Sequence, residues 1–369
     1  ELGEAVAVLK VLVDHWILKR FAGPYFSFKR AKMEVPESHQ ALLGITLDLL
    51  QRNLALKPGK AVTVAEMTGD ILSHLFWDKK FLQSLIGNTV WLSCLLPRVR
   101  AYISPALEII SLIPGKTGSL PKGREPALDA EAVRSLEFVR AIFLMDPAVH
   151  VHKYLNLLPT HKSVLWSDAS GYERDTNNPT PGRMASLFTY PYAKSGQIIC
   201  AYTDWEELLP RIRKQTSELD SEPWYECESV TRLDLREKDL TIAYLELSAL
   251  LLTLLQLVIL CLRYPEMLKR VSRKVIILKC DNQNCVSWCA SGRVKFMPWN
   301  RLLEVIFILE IILEGKITVA WVPSERQRAD HLSRGIISVT EGSRKFRARK
   351  HDKQTLEMFV NALVFGPNL

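Results

Sequence analysis

The sequence lacks several features that would have settled its class at once. Its seven cysteines (Cys94, Cys200, Cys227, Cys261, Cys280, Cys285 and Cys289) form no CxxC pair and fall mostly in apolar segments. They read as reduced thiols of an intracellular protein, in the cytoplasm or nucleus, and not as a disulfide scaffold. No apolar run is long enough to cross a bilayer. The longest, "ALLLTLLQLVILCL" over 249–262, has 14 residues, against the roughly 20 that a spanning helix needs. It is therefore expected to be a helix buried in protein, with no membrane partner. No signal peptide opens the chain, which begins "ELGEAVAVLK" without an initiator Met; the expectation is a piece of something longer. No internal repeat is present.

What the sequence does have is globular. With 48% of its 369 residues apolar it can bury substantial cores, and that length implies two or three domains. The net charge of +8 is compatible with a polyanionic partner. Residues 1–20 have helical spacing, followed by the short strands "YFSFKRAKMEV" and "ALLGITLDLL". Residues 63–113 return to a helical pattern, which Gly69, Gly87 and Pro97 are expected to divide into three. "PGKTGSLPKGREP", 114–126, reads as a linker, and another helix runs from 130 to about 144. From 163 onward the reading is mixed: an antiparallel meander of "SVLWSDAS", "ASLFTY" and "QIICAY", a polar insert at 204–238 without an assigned role, and the long apolar helix containing Glu246. After these come the strand "KVIILKCD", two helices, the strand "KITVAWVP" and "SERQRADHLSRG". That order predicts a mixed sheet with helices on both faces.

Four carboxylates stand where solvated charge is not expected. Asp168 ends "VLWSD", Asp281 ends "VIILKCD", Glu246 lies one turn into an apolar helix, and Asp330 follows the last strand through a polar loop. Taken alone, each has an ordinary explanation as a turn, a cap or a helix-rim charge. Together, strands ending on one side of a sheet would cluster them, and clustered anions need a cation among them. Hard divalent ions take oxygen ligands, and two of them about 4 Å apart clamp the attacking and leaving oxygens in phosphodiester hydrolysis.

In this order "SDAS", "LELSAL", "CDNQNCV" and "ADHLSR" resemble the four-acid signature of the ribonuclease H family. The version is that carried by reverse transcriptases of LTR-like retroelements, among which the DIRS-type and related elements are the most similar. Upstream, "ALLGITLDLLQRNLALKPGK" resembles the end of a reverse transcriptase palm, and "FLQSLIGNTVWLSCLLPRVRAYISPALEI" resembles thumb and connection helices. The resemblance implies a palm remnant at 1–60, a thumb at 61–113, linker and connection at 114–162, an RNase H-like α/β domain with a five-stranded mixed sheet at 163–337, and a basic tail at 338–369.

It also implies that Asp168, Glu246, Asp281 and Asp330 hold two Mg²⁺ or Mn²⁺ ions and cleave the RNA strand of RNA:DNA hybrids, leaving a 3′-hydroxyl and a 5′-phosphate. No Asp-Asp pair occurs, so the "YxDD" polymerase acids would belong to an upstream portion of the same polyprotein. The first hairpin, "GYERDTNNPTPGR", is longer and more polar than the family's, and the loop "VPSERQRAD" lacks a His before its Asp.

A hybrid is held through phosphates and 2′-hydroxyls. Candidates for those contacts are Ser170, Asn282, Arg326, Arg328 and Arg334; the alternatives are turn hydrogen bonds for the first two and solvated loop charges for the arginines. The basic run "SRKFRARKHDK", 343–353, reads as a solvated linker or a backbone-tracking segment. A catalytically decayed or domesticated module that binds nucleic acid or protein is the main alternative to an enzyme. An integrase-like transposase is a third reading, opposed by a last acid that is Asp330 and not a Glu.

Overall fold

In the computed structural model the described residues are 39–110, 130–150, 162–219 and 241–365, less short stretches at 43–44, 49–52, 58, 74–78, 94, 104–105, 108–109, 146–148, 174–179, 190–197, 273, 295–296 and 342–343. The expected helix over 1–20, the strand "YFSFKRAKMEV", the linker 114–126 and the insert from 220 to 238 lie outside them.

The first elements are β1 (His39–Leu42), β2 (Ile45–Asp48) and β3 (Asn53–Leu56), then α1 (Lys60–Ser73), α2 (Lys79–Leu92), a 3-10 helix (Pro97–Ile103), α3 (Ala130–Leu144) and β4 (Val149–His150). β1 to β4 form an antiparallel sheet. β4 therefore returns from beyond the expected linker to complete a sheet begun before residue 60. Gly69 and Gly87 do not divide the helices as expected but lie inside α1 and α2. Gly69 lies on a side of α1 turned toward α3, where an added Cβ would stand 3.3 Å from Arg140 Nε.

The second part contains β5 (Lys162–Ala169), the hairpin β6 (Tyr172–Glu173) and β7 (Thr180–Pro181), β8 (Arg183–Thr189), β9 (Ile198–Asp204), α4 (Trp205–Leu219), α5 (Ile242–Arg263) and α6 (Pro265–Val271). These are followed by β10 (Val275–Cys280), α7 (Gln283–Ser291), α8 (Met297–Ile312), β11 (Lys316–Trp321), α9 (Asp330–Ser333), β12 (Ser338–Glu341), β13 (Arg344–Arg347), β14 (Arg349–Lys350) and α10 (Lys353–Phe365). The chain is α/β, as expected, and the mixed sheet runs β11-β10-β5-β8-β9-β14. β5, β8 and β9 are the anticipated antiparallel meander, while β10 pairs parallel to both β5 and β11. The five expected strands are all present, and β14 adds a sixth along β9.

α5 is apolar all round because it is enclosed all round, by β5 and β8 on one side and by α8 and α10 on the other. The helix extends beyond the 14-residue apolar run to 22 residues, which makes it long and apolar enough to span a membrane, yet 89% of its most apolar window is buried inside the protein. α8 has two buried faces as well. Leu302, Val305 and Leu309 join the core under the sheet, while Phe307 and Ile308 join the core of α1, α2 and α3. Arg134 of α3 pairs with Glu304 of α8 at 2.7 Å across that contact, and the Tyr102 hydroxyl donates to the Gly292 carbonyl at 2.9 Å.

The tail is not a linker. Val339 and Phe346 of the β12–β13 hairpin pack with Ala185, Leu187 and Leu332 on the face of the sheet opposite α5. His351, fully enclosed, sits between Ser186 Oγ at 3.0 Å and Thr203 Oγ1 at 2.8 Å, and burial pushes its pKa down to about 4. α10 then buries Leu356, Phe359, Val360 and Leu363 in the main core. The insert begins in the same way. α4 reads as polar, yet Trp205, Leu208, Leu209 and Ile212 line one buried face. Phe359→Ala, which empties a site 6.3 Å (ring centroids) from Trp205, should cost about 3–5 kcal/mol. Denaturant unfolding of the full chain measures this, and a cost under about 1 kcal/mol would show that the tail is not part of the core.

Candidate active site

Register places two of the acids. β10 pairs parallel with β5 so that Lys279 lies opposite Trp166. Asp168 lies two residues beyond that last pair on β5, and Asp281 is the residue that follows the end of β10, so both acids stand at the same end of the neighbouring strands. α5 crosses this end of the sheet, and Glu246 Oε1 accepts the Ala169 N–H at 3.1 Å. Asp330 opens α9, which packs against β5 and β8. One cavity of about 450 Å³ is lined by all four acids together with Ser170, Asn282, Ser333 and Arg334.

The acids differ in their surroundings. Asp168 and Glu246 are each only 3% exposed. Burial, then repulsion from Asp281 and Asp330, raises Asp168 to about 7, against a hydrogen bond that Ser333 Oγ donates to its Oδ2 at 2.5 Å. Glu246 is held well above the usual carboxylate range by desolvation first and by the neighbouring Asp168 second. Asp281 is nearer the surface; Ser324 Oγ donates to its Oδ2 at 2.7 Å, and the exposed Trp321 indole donates to its carbonyl at 2.9 Å. Asp330 Oδ1 accepts from Arg334 Nε at 2.7 Å.

Such a cavity favours a cation. It holds four carboxylates against one guanidinium, and two of the four are too desolvated to ionise readily alone. Ligating atoms of Glu246, Cys280 and Asp281 lie within 4.8 Å of one another. The Cys280 thiol is the soft member of that trio, whereas the remaining donors are carboxylate oxygens, which suit Mg²⁺ or Mn²⁺.

The weaker candidates separate. Arg334 lines the cavity, but Arg326 and Arg328 do not; Arg328 lies over the Trp166 ring, 5.7 Å from its centroid. Asn282 lines the cavity while its Oδ1 caps α7, accepting from the Asn284 and Cys285 N–H groups. Ser170 also lines it, with its Oγ accepting the Arg183 N–H at 2.8 Å. Both residues therefore do make the turn hydrogen bonds that are the ordinary alternative for them. Three supporting residues have no sequence signal: Ser324, Ser333, and Gln327, whose Nε2 donates to the carbonyls of Ser167 and Lys279 and ties β5 to β10 beneath the acids. A serine in a polar loop looks like any other until the fold brings it to a partner. Ser324→Ala should weaken divalent-ion binding about 10- to 100-fold by freeing Asp281; Mn²⁺ titration against the parent chain tests this, and an unchanged affinity would remove Ser324 from the site.

No protein-family model matches the chain, and no curated protein matches it. Among solved structures it is similar to RNase H1 from the halophilic archaeon Halobacterium salinarum NRC-1, with 13% identity, a TM-score of 0.28, and coverage of 48% of this chain and 97% of that one. It is also similar to the foamy viral protease-reverse transcriptase dRH solved in complex with double-stranded DNA, with 14% identity, a TM-score of 0.25, and coverage of 78% of this chain and 38% of that one.

Proposed function

We propose that this chain hydrolyses the RNA strand of RNA:DNA hybrids, using two divalent ions, Mg²⁺ or Mn²⁺, held by Asp168, Glu246, Asp281 and Asp330. The observation that carries the reading is the convergence of four carboxylates, from two adjacent strand ends and two helices, on one cavity with a single guanidinium. When bound, such ions activate a water and stabilise the leaving oxygen of an in-line displacement. The chain's own residues supply the rest. Ser333 and the Ala169 N–H fix the buried pair Asp168 and Glu246, Ser324 and Trp321 fix Asp281, and Arg334 holds Asp330 at the cavity.

In this reading the upstream helices are the thumb and connection of a retroelement reverse transcriptase whose polymerase acids lie in another portion of the polyprotein. The five described cysteines are free and buried, which suits a reducing, intracellular setting.

The test is an end-labelled RNA:DNA hybrid incubated with the purified chain and Mg²⁺ or Mn²⁺. The RNA strand should be cut to products with 5′-phosphates and 3′-hydroxyls while the DNA stays intact, and EDTA or Asp281→Asn should reduce cutting to the buffer level. No cutting by the parent chain would leave the decayed-module reading in its place.

A further inference from the structure

The β12–β13 hairpin and β14 present a feature that the cavity does not use. Along the last two strands the side chains alternate. Phe346 and Ala348 turn inward onto the sheet, and Lys345, Arg347 and Arg349 are exposed. Within β13, Lys345 and Arg347 stand about 6.6 Å apart, close to the spacing of successive phosphates along one nucleic-acid strand, and Arg349 follows at the start of β14. No carboxylate among the described residues pairs with these three cations, whereas the neighbouring Lys350 is paired with Glu207. The register sets Thr340 opposite Lys345 and Ser338 opposite Arg347, so hydroxyls and cations share one face of the hairpin.

The backbone carrying these cations is fixed in place. Ala348 N–H donates to Ile337 O at 2.8 Å, β14 pairs with β9, and His351 is clamped between Ser186 and Thr203. Little order is therefore lost when a ligand docks. The hairpin also adjoins the cavity: α9 and the residue after it supply Asp330, Ser333 and Arg334 to the cavity lining, and β12 begins at Ser338, four residues after Arg334.

We propose that Lys345, Arg347 and Arg349, with Ser338 and Thr340, form a second nucleic-acid contact that grips consecutive phosphates of the duplex outside the cavity. The proposal rests on the ribonuclease reading for its substrate, an RNA:DNA hybrid. The contact is to backbone, so it is independent of base sequence and sensitive to salt.

The experiment measures hybrid affinity by fluorescence anisotropy in EDTA, where nothing is cut, from about 50 to 200 mM salt. It compares the full chain with the Lys345→Ala/Arg347→Ala/Arg349→Ala variant, using thermal melting to confirm that the exposed substitutions leave the fold intact. The slope of log affinity against log salt should become shallower by about 0.9 for each phosphate no longer neutralised, up to about 2.7, and equally for hybrids of unrelated sequence. Arg347→Lys should keep the parent slope, while Arg347→Gln should make it shallower by the share of a single phosphate. A slope unchanged in the triple variant overturns the proposal, as does an equal loss of binding to polyglutamate, which would make the strand a site for acidic protein. Cleavage by the parent chain is scored separately. Cutting with an unchanged slope sinks the hairpin grip alone, and a shallower slope without cutting sinks the catalytic reading alone.

Discussion

Asp168→Asn is expected to lower hybrid cleavage on the order of 10³-fold while raising the thermal stability of the metal-free protein. The two effects have one cause. Asp168 is 3% exposed and faces three other carboxylates in the same cavity. Its pKa stands at about 7 against an ordinary 3.8, so at pH 8 the folded chain carries an ionised group that it holds unfavourably. At about 1.36 kcal/mol per pKa unit, that is a penalty of at most about 4 kcal/mol. Asparagine keeps the shape and an acceptor for Ser333 and discards the charge. It should stabilise the fold and remove a ligand, the usual opposition between stability and a functional site. Single-turnover cleavage and melting in EDTA, on the same two proteins, read both signs. A variant that melts lower and still cleaves would show Asp168 to be an ordinary structural carboxylate.

The parts of this site that are legible in the sequence are those where local composition and fold agree. Asp168 and Asp281 stand out because each ends an apolar strand, and Glu246 because nothing else for a turn on either side is charged. Their convergence depends only on strand order and on the parallel pairing of β5 with β10. Asp330 is placed by its position after the strand "KITVAWVP", although the helix it opens is a single turn. Less legible are elements whose buried face is a small fraction of their residues. Among the described side chains of "SRKFRARKHDK", Phe346, Ala348 and His351 turn inward between charged neighbours, so the charges hide a strand alternation, and the tail reads as a linker. α4 similarly buries Trp205, Leu208, Leu209 and Ile212 among otherwise polar neighbours. Gly69 misleads for a different reason: a single glycine inside an otherwise helical pattern does not end a helix whose other face is packed.

The second large effect joins the site to pH and metal. A carboxylate whose folded pKa is raised contributes stability that is fully present below its unfolded pKa and lost as pH rises through the folded one. For Asp168 that window runs from 3.8 to about 7, and Glu246 acts in the same direction. His351 acts oppositely: its folded pKa is depressed from 6.5 to about 4, so its contribution is present above 6.5 and disappears as pH falls toward 4. The two slopes overlap and offset each other in the parent chain. They separate in the variant, where the stability advantage of Asp168→Asn should be near zero at pH 4, grow as pH rises, and level off above about 7. A divalent ion changes the sign of the site, because ionised carboxylates that repel one another then share a cation. Mg²⁺ or Mn²⁺ at about 100 times its dissociation constant should stabilise the parent chain by about 2.7 kcal/mol. The gain should be larger at pH 8 than at pH 5, where protons compete for the same oxygens, and much smaller in Asp168→Asn. Melting curves in EDTA, Mg²⁺ and Mn²⁺ at the two pH values decide the matter without any substrate. A parent chain whose melting temperature ignores both ions at pH 8 would mean that its four acids are not a metal site.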